Sequence, residues 1–487
     1  MNSTARKHVG AYYTPDDTAA SLVRWGVRRV TDRLLDPACG DGQFLALHQH
    51  CVGVEQDPGA LAAAMRRAPW AQVHRCDFFT WAARTEERFE CAAGNPPFIR
   101  YQRFTGDVRR SALRLCERLG VRFSALTSSW APFLVAVGGL LKPGGRMAFV
   151  VPAEIGHAPY AVPLLSHLLD RFATVQVIAV REKIFADLSE DCWLLYADGR
   201  GGRSDEFRLT VLERFDFATY PPQTWVTVTR REWTDWNHRL RPFVLPPSIR
   251  TLYRESASGA GALRLGEVAS VGIGYVTGAN DFFHLRPSAA RLLRIPDRLL
   301  HVSVRNSSFL ATASVTDGTV RGWLDRDEPV LLLRIEKDTP LTSAVRDYLS
   351  TPQAREASAT YKCRHREPWY VVPDVFVPDG FLSYMSGVKP LLVSNPAGCV
   401  CTNSVHAVVL KKPFSMRGVQ RLWDDPFTTL SCELEGHPLG GGLLKVEPRE
   451  AGRIVLVPPA KRTARQRKLI LEGIEIMRRW RHCEQSA

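Results

Sequence analysis

Residues Gly94 to Phe98 read Gly-Asn-Pro-Pro-Phe. Asn95 offers a side-chain carbonyl, Pro96 a backbone carbonyl and Phe98 an aromatic face, a set suited to gripping a flat ring that carries an exocyclic amine. Such an amine is a poor nucleophile because its lone pair is delocalised into the ring. Two acceptors that each take one N–H draw the nitrogen towards tetrahedral geometry and aim the lone pair at an electrophile, so no base is needed beforehand. Pro96 and Pro97 stiffen the loop, and positioning accounts for much of such a transfer.

A second set of residues lies upstream. Leu35-Asp36-Pro37-Ala38-Cys39-Gly40-Asp41-Gly42 is a glycine-rich turn after an apolar strand, and the reading expects Gly40 and Gly42 to open a helix with free N–H groups directed at a ligand. Turns of this kind serve nicotinamide, flavin and nucleoside cofactors alike, and some are only tight turns. The next two strands narrow the choice. Gly53-Val54-Glu55 places a carboxylate where it can accept both hydroxyls of a ribose, and Cys76-Asp77-Phe78 offers an acceptor for an adenine amino group beside a ring to cover its face. Each acid alone is more often a helix cap or a solvated strand end; in series they point to an adenosine.

The elements that must position these residues alternate. Strand patterns at 33–36, 51–55, 72–76, 90–93, 146–151, 174–180 and 192–197 are separated by helical stretches at 43–49, 59–67, 108–119, 128–141 and 159–171. The pattern predicts an α/β fold with a doubly wound, mostly parallel seven-stranded sheet, whose ligands sit at the carboxyl ends of the central strands. After Asp198 the alternation stops. A Gly-rich turn at 199–204, a strand pattern at 207–212 and Tyr220-Pro221-Pro222 suggest a first domain over 1–215 and a mixed α+β domain over 216–460, followed by a basic helix over 461–487.

A chain of 487 residues exceeds what one core usually organises. Its net charge of +14 suits a polyanionic partner, although a generally arginine-rich solvated surface gives the same balance. The eleven cysteines lack the spacing of a zinc site and read as reduced thiols, so no metal is expected. No secretory signal is read at the N-terminus, and the longest apolar run, 130–141, is too short for a bilayer. A cytoplasmic protein with no membrane partner is the expectation.

With Tyr12-Tyr13-Thr14-Pro15 ahead of both motifs, the order resembles the TaqI-like group of adenine-N6 DNA methyltransferases, of gamma-class motif order. The resemblance covers nearly all of residues 8 to 198. It implies S-adenosylmethionine as cofactor and double-stranded DNA as substrate. Tyr13, Thr14 and Pro15 match the segment that closes over the methionine end; Asp36, Ala38 and Gly40 the glycine-rich turn; Glu55 the ribose ligand; Asp77 and Phe78 the adenine clamp. Asn95, Pro96, Pro97 and Phe98 match the catalytic motif, where the family more often has Tyr than Phe at the last position. Because the target amine lies inside a duplex, the nucleotide must be rotated out. Phe185, within Lys183-Ile184-Phe185-Ala186-Asp187, stands where the family carries an aromatic that packs on the flipped adenine; a core phenylalanine is an equal reading.

Two segments of the second half, Gly272 to Phe283 and Tyr361 to Tyr370, resemble target-recognition segments of related restriction-modification methyltransferases. Gly278, Asn280, Lys362, Arg364 and Arg366 are the candidate DNA contacts, by close backbone approach to phosphates and by cations beside aromatics. A structural hairpin with solvated arginines is the alternative. The second half shows no nuclease carboxylate-lysine cluster, so a stand-alone modification component is expected, which leaves room for a separate restriction or specificity subunit. Two rival readings stay open: an enzyme of the same fold acting on RNA or protein, and a catalytically silent DNA-binding specificity subunit.

Overall fold

The computed structural model describes residues 14–185, 188, 190–439, 441–458 and 462–483. Two compact units divide at Pro246/Pro247.

The first unit is built on a nine-stranded sheet. Its strands are β1 (Leu34–Asp36), β2 (Cys51–Glu55), β3 (Gln72–Arg75), β4 (Phe89–Gly94), β5 (Leu141–Pro152), β6 (Phe172–Val180), β7 (Cys192–Arg200), β8 (Glu206–Leu212) and β9 (Val226–Thr229), in the order β3-β2-β1-β4-β5-β7-β6-β8-β9. Strands β3 through β5 are parallel, and β7 runs antiparallel between β5 and β6. Seven strands therefore stand where the sequence pattern places them, and two more extend the edge. The segment 207–212 was expected beyond the sheet. It pairs instead in parallel with β6, Gln176 opposite Arg208 through Val180 opposite Leu212, and β9 closes the edge antiparallel to β8. This pairing, with Leu240 N–H donating to the Gly156 carbonyl at 2.8 Å, keeps residues 216–246 in the first unit rather than in a domain starting at 216.

Helices α1 (Asp16–Gly26), α2 (Pro58–Arg67), α3 (Phe78–Ala82), α4 (Gly106–Arg118), α5 (Trp130–Leu140) and α6 (Ala161–Arg171) accompany the strands. Helix α5 is apolar all round and correspondingly buried on nearly every side. One face of the sheet packs Leu34, Cys91, Ala93, Val150 and Ile178 against Ala19, Leu22 and Val23 of α1. The order reverses between β1 and β4, which neighbour each other while their connections run outward to opposite sides. That switch point is where an open parallel sheet leaves a crevice at its carboxyl edge.

The second unit is mixed α+β. One antiparallel sheet joins 269–273, 405–410, 380–383 and 392–394 in that order, and a mixed sheet joins 284–285, 331–333, 300–304 and 400–401, the last pair in parallel. Residues 369–372, an apolar run that reads like a strand, form none; Trp369 and Tyr370 lie in a turn, with the Trp369 ring against Phe282 and Phe283. The helix Ala464–Arg479 is not a separate appendage. It lies in this unit with Ile470, Gly473, Ile474 and Met477 buried, and just past its end Arg481 makes a fully buried ion pair with Glu433, Nε to Oε2 at 2.9 Å and Nη2 to Oε1 at 2.8 Å.

Candidate active site and nucleic-acid interface

Asp36 ends β1 at 1% exposure. One oxygen, Oδ1, accepts from the Ala38 N–H at 3.2 Å; the other, Oδ2, is buried with no hydrogen-bond partner among the described residues. Burial pushes the carboxyl up to about 8; the Ala38 amide opposes the shift, and the nearby Glu55 and Asp41 charges add to it.

The turn after Asp36 departs from the expectation. Cys39 N–H donates to the Val54 carbonyl at 3.0 Å, Gly40 N–H to Glu55 Oε2 at 3.1 Å and Gly42 N–H to the Cys39 carbonyl at 2.8 Å. These amides are spent inside the protein rather than left for a ligand. No α-helix opens at Gly42 either, only a single 3-10 turn over Leu45–Leu47. The left-handed φ of +52° at Gly40 and +85° at Gly42 breaks a helical repeat, and a Cβ on Gly42 would stand 2.8 Å from the Ala64 Cα of α2. The glycines serve the passage of the turn over α2.

Thr14 is buried and Pro15 occupies the N-cap of α1. Asp16 Oδ1 accepts from Gln43 Nε2 at 2.7 Å, which ties the start of α1 to the turn. Tyr12 and Tyr13 lie outside the described residues. At the end of β2, Glu55 Oε1 accepts from Asp57 N–H at 2.7 Å while Oε2 holds Gly40, so each oxygen keeps capacity for a further donor. At the end of β3, Asp77 caps α3: its Oδ1 accepts from the Thr80 N–H and hydroxyl, each at 2.9 Å. Phe78 is 3% exposed and stacked on Phe133 of α5, centroids 4.8 Å apart at 17°. Its ring is a core element, not the open face expected from sequence.

The Asn95–Phe98 loop leaves β4 beside β1. A Cβ on Gly94 would stand 2.9 Å from Asp36 Oδ1 and 3.2 Å from the Phe149 ring, so only glycine lets β4 end there. Asn95, Pro97 and Phe98 are half-buried and Pro96 is buried. Ser129, fully buried at the N-cap of α5, grips the loop: its hydroxyl donates to the Pro97 carbonyl and accepts from Ile99 N–H at 3.0 Å, while its own N–H donates to the Ile99 carbonyl at 2.9 Å. A serine before a helix reads as an N-cap. Here the hydroxyl makes no cap bond, and its role in the loop has no local signal in the sequence.

Phe185 is 7% exposed within the cluster behind β4, and Phe98 packs against the same cluster. Arg100, two residues past Phe98, pairs with Glu190 at 2.5 Å and so joins the two aromatic-bearing loops. The structure thus gathers Asp36, Ala38, Gly40, Glu55 and the Asn95–Phe98 loop around the carboxyl edge of β1, β2 and β4.

In the second unit, the segments 272–283 and 361–370 come together. Gly278, at φ +86°, is approached by the segment from Thr360 to Cys363: a Cβ there would lie 2.7 Å from the Lys362 Cβ. Its close contact is with protein, which removes the phosphate rationale for this glycine. Arg366 donates to the carbonyls of Val276 and Thr277, the latter at 2.7 Å, and is a staple rather than a free cation. Asn280 Oδ1 accepts from the Thr277 hydroxyl, although the residue remains exposed. Lys362 and Arg364 are exposed, with the Arg364 guanidinium 5.4 Å from the centre of the Tyr361 ring. Among the described residues there is no cluster suited to a metal ion, and no helix is long and apolar enough to cross a membrane.

The chain is similar to the type II methyltransferase M.XamI of Xanthomonas campestris pv. amaranthicola, 25% identical over 475 residues covering 91% of this chain and 84% of that protein. It also resembles M.TthHB8I of Thermus thermophilus, 29% identical over 161 residues, 30% of this chain and 35% of that protein. Among solved structures, the DrdV–DNA complex shares the fold with a TM-score of 0.50 at 11% identity, over 98% of this chain and 58% of that one. Residues 237–484 match the family described as the C-terminal domain of the type II methyltransferase M.Eco57I. That match spans just over half of the chain, which therefore belongs to this family of type II DNA methyltransferases of restriction-modification type.

Proposed function

We propose that the protein transfers a methyl group from S-adenosylmethionine to the N6 amine of an adenine rotated out of double-stranded DNA. One observation carries the reading: the Asn95–Phe98 loop emerges at the β1/β4 switch point directly beside Asp36, whose buried Oδ2 lacks a donor. An orphaned buried acceptor fits a ligand that brings N–H groups or positive charge, and S-adenosylmethionine brings both. When bound, it supplies an electrophilic methyl group on sulfur.

Asp36 and the Thr14–Pro15 segment would hold the amino-acid end, Glu55 the ribose and Asp77 the adenine edge through capacity beyond its cap. The Asn95 side-chain carbonyl and the Pro96 backbone carbonyl accept the two N–H groups of the target amine, and Phe98 stacks on the base. Pro96, Pro97 and the Ser129 bonds fix the loop before the target arrives, so little ordering remains at the moment of transfer. The surplus proton on nitrogen passes to solvent water after the new bond has formed.

The direct test is to incubate the protein with genomic DNA and labelled S-adenosylmethionine, digest to nucleosides and identify the labelled one. N6-methyladenine is the expected product, and duplex binding should weaken steeply as salt is added. Label on cytosine, or on RNA or protein alone, overturns the adenine reading.

A pH effect follows from Asp36. Its folded pKa is raised from 3.8 to about 8, so the free fold loses stability as pH rises through that interval, and at pH 7 most molecules hold the proton. A cationic ligand beside the group favours the carboxylate. Cofactor affinity is therefore expected to rise with pH up to about 8 and level off above, with proton release on binding below that pH. Calorimetry in two buffers of different ionisation enthalpy measures the release. A pH-independent affinity that Asp36→Asn leaves unchanged rules out Asp36 as a cofactor ligand.

A further inference from the structure

The second unit contains a cavity of about 590 Å³ that neither candidate recognition segment lines. Three arginines, Arg286, Arg305 and Arg326, stand around it against one carboxylate, Glu328. The cavity carries a surplus of positive charge.

The arginines are held, and only partly neutralised. Arg286 Nη1 donates to the Asp327 carbonyl at 2.7 Å, which fixes the guanidinium, while the nearby Asp327 carboxylate offsets part of its charge. Arg305, with a side chain 21% exposed, lies 3.3 Å from the fully exposed carboxylate of Asp281. Arg326 stands 3.8 Å from Glu328, beyond hydrogen-bond reach, with 62% of its side chain open to solvent. Phe309 contributes an apolar wall, edge-on to the buried Trp323 at 5.3 Å. The walls thus combine planar donors for phosphate oxygens with an apolar face and enough volume for a sugar beside the phosphate. The Arg305–Asp281 pair ties one wall of the cavity to the segment Gly272 to Phe283.

We propose that this cavity seats one sugar-phosphate unit of the bound DNA strand as a sequence-independent anchor, apart from whatever side chains read bases. The assignment rests on the DNA reading above. Guanidinium groups around a phosphate supply affinity and register and carry no base information. Asp281 and Glu328 act as place-holders that the phosphate displaces.

The test is equilibrium binding of the full chain to two labelled duplexes, one with and one without its methylation site, between about 50 and 200 mM salt. Arg326→Ala, at an exposed position, should weaken both duplexes about five- to tenfold at the low-salt end. The slope of log affinity against log salt should become shallower by about 0.9, the value for one phosphate contact. Arg326→Lys should keep the slope, and Arg305→Ala should move both readouts in the same direction as Arg326→Ala. Turnover at saturating DNA should not change. An unchanged slope, or a loss confined to the duplex with the site, overturns the anchor assignment. If the wild-type protein methylates DNA with a steep salt response while Arg326→Ala and Arg305→Ala match it, only the cavity assignment fails; if the wild type neither binds nor methylates DNA, both readings fall.

Discussion

Asn95→Ala is expected to lower the turnover of methyl transfer by about 10²- to 10³-fold while duplex affinity stays within about threefold, the pattern of an interaction that strengthens in the transition state. Asn95 directly follows β4 and is half-buried, and its carbonyl is one of two acceptors assigned to the reacting amine. Removing it leaves Pro96 alone to localise the lone pair. Asn95→Asp keeps an acceptor oxygen and should recover part of the loss. Single-turnover assays with saturating DNA and cofactor separate the chemical step from binding. Near-normal single-turnover rates for Asn95→Ala would remove Asn95 from the reaction, and an equal loss in DNA binding would make it a binding residue.

The largest effect on stability is expected at Arg481. Both members of its pair with Glu433 are 1% exposed or less, and Arg481 also donates to the Gly442 carbonyl. Arg481→Ala leaves the buried Glu433 carboxylate with Arg478, its Nε 3.6 Å away, as a more distant cation and without the two short Arg481 bonds, and should cost the second unit about 3 kcal/mol. Replacing both partners with apolar residues, Arg481→Met with Glu433→Leu, should restore most of that. Hydrogen exchange over Ala464–Arg479 reads the loss locally, since the two-unit chain need not unfold in one step. Protection of that helix unchanged in Arg481→Ala would show that its packing, through Ile470, Ile474 and Met477, suffices without the pair.

Apolar runs between turn residues located the first sheet well because burial on both faces leaves a strong mark in sequence. The segment 51–55 is a strand over the same residues, and 192–197 differs only by running on to Arg200. The strand 207–212 was visible, but its partner β6 lies some thirty residues earlier and sequence alone gives no pairing. The same limit explains the site. Asn95 to Phe98 stand out through their own composition, whereas Ser129 acts across 30 residues and Arg366 staples carbonyls 89 and 90 residues away. Local spacing has no access to such contacts. Phe78 turned inward because Phe133, on another helix, offered it a stacking partner. The helix expected after Gly42 failed for a local reason, since the glycines that let the turn pass close to α2 also break the helical repeat.

Gly94 has the remaining consequence. Its missing side chain lets the strand that leads into the loop assigned to the target base run close beside the carboxylate assigned to the cofactor, with 2.9 Å from the position of a Cβ to Asp36 Oδ1. The first letter of the Gly-Asn-Pro-Pro-Phe string is therefore dictated by the neighbouring strand and not by the transfer chemistry, and a methyl group added there would press first on the Asp36 carboxylate and the Phe149 ring.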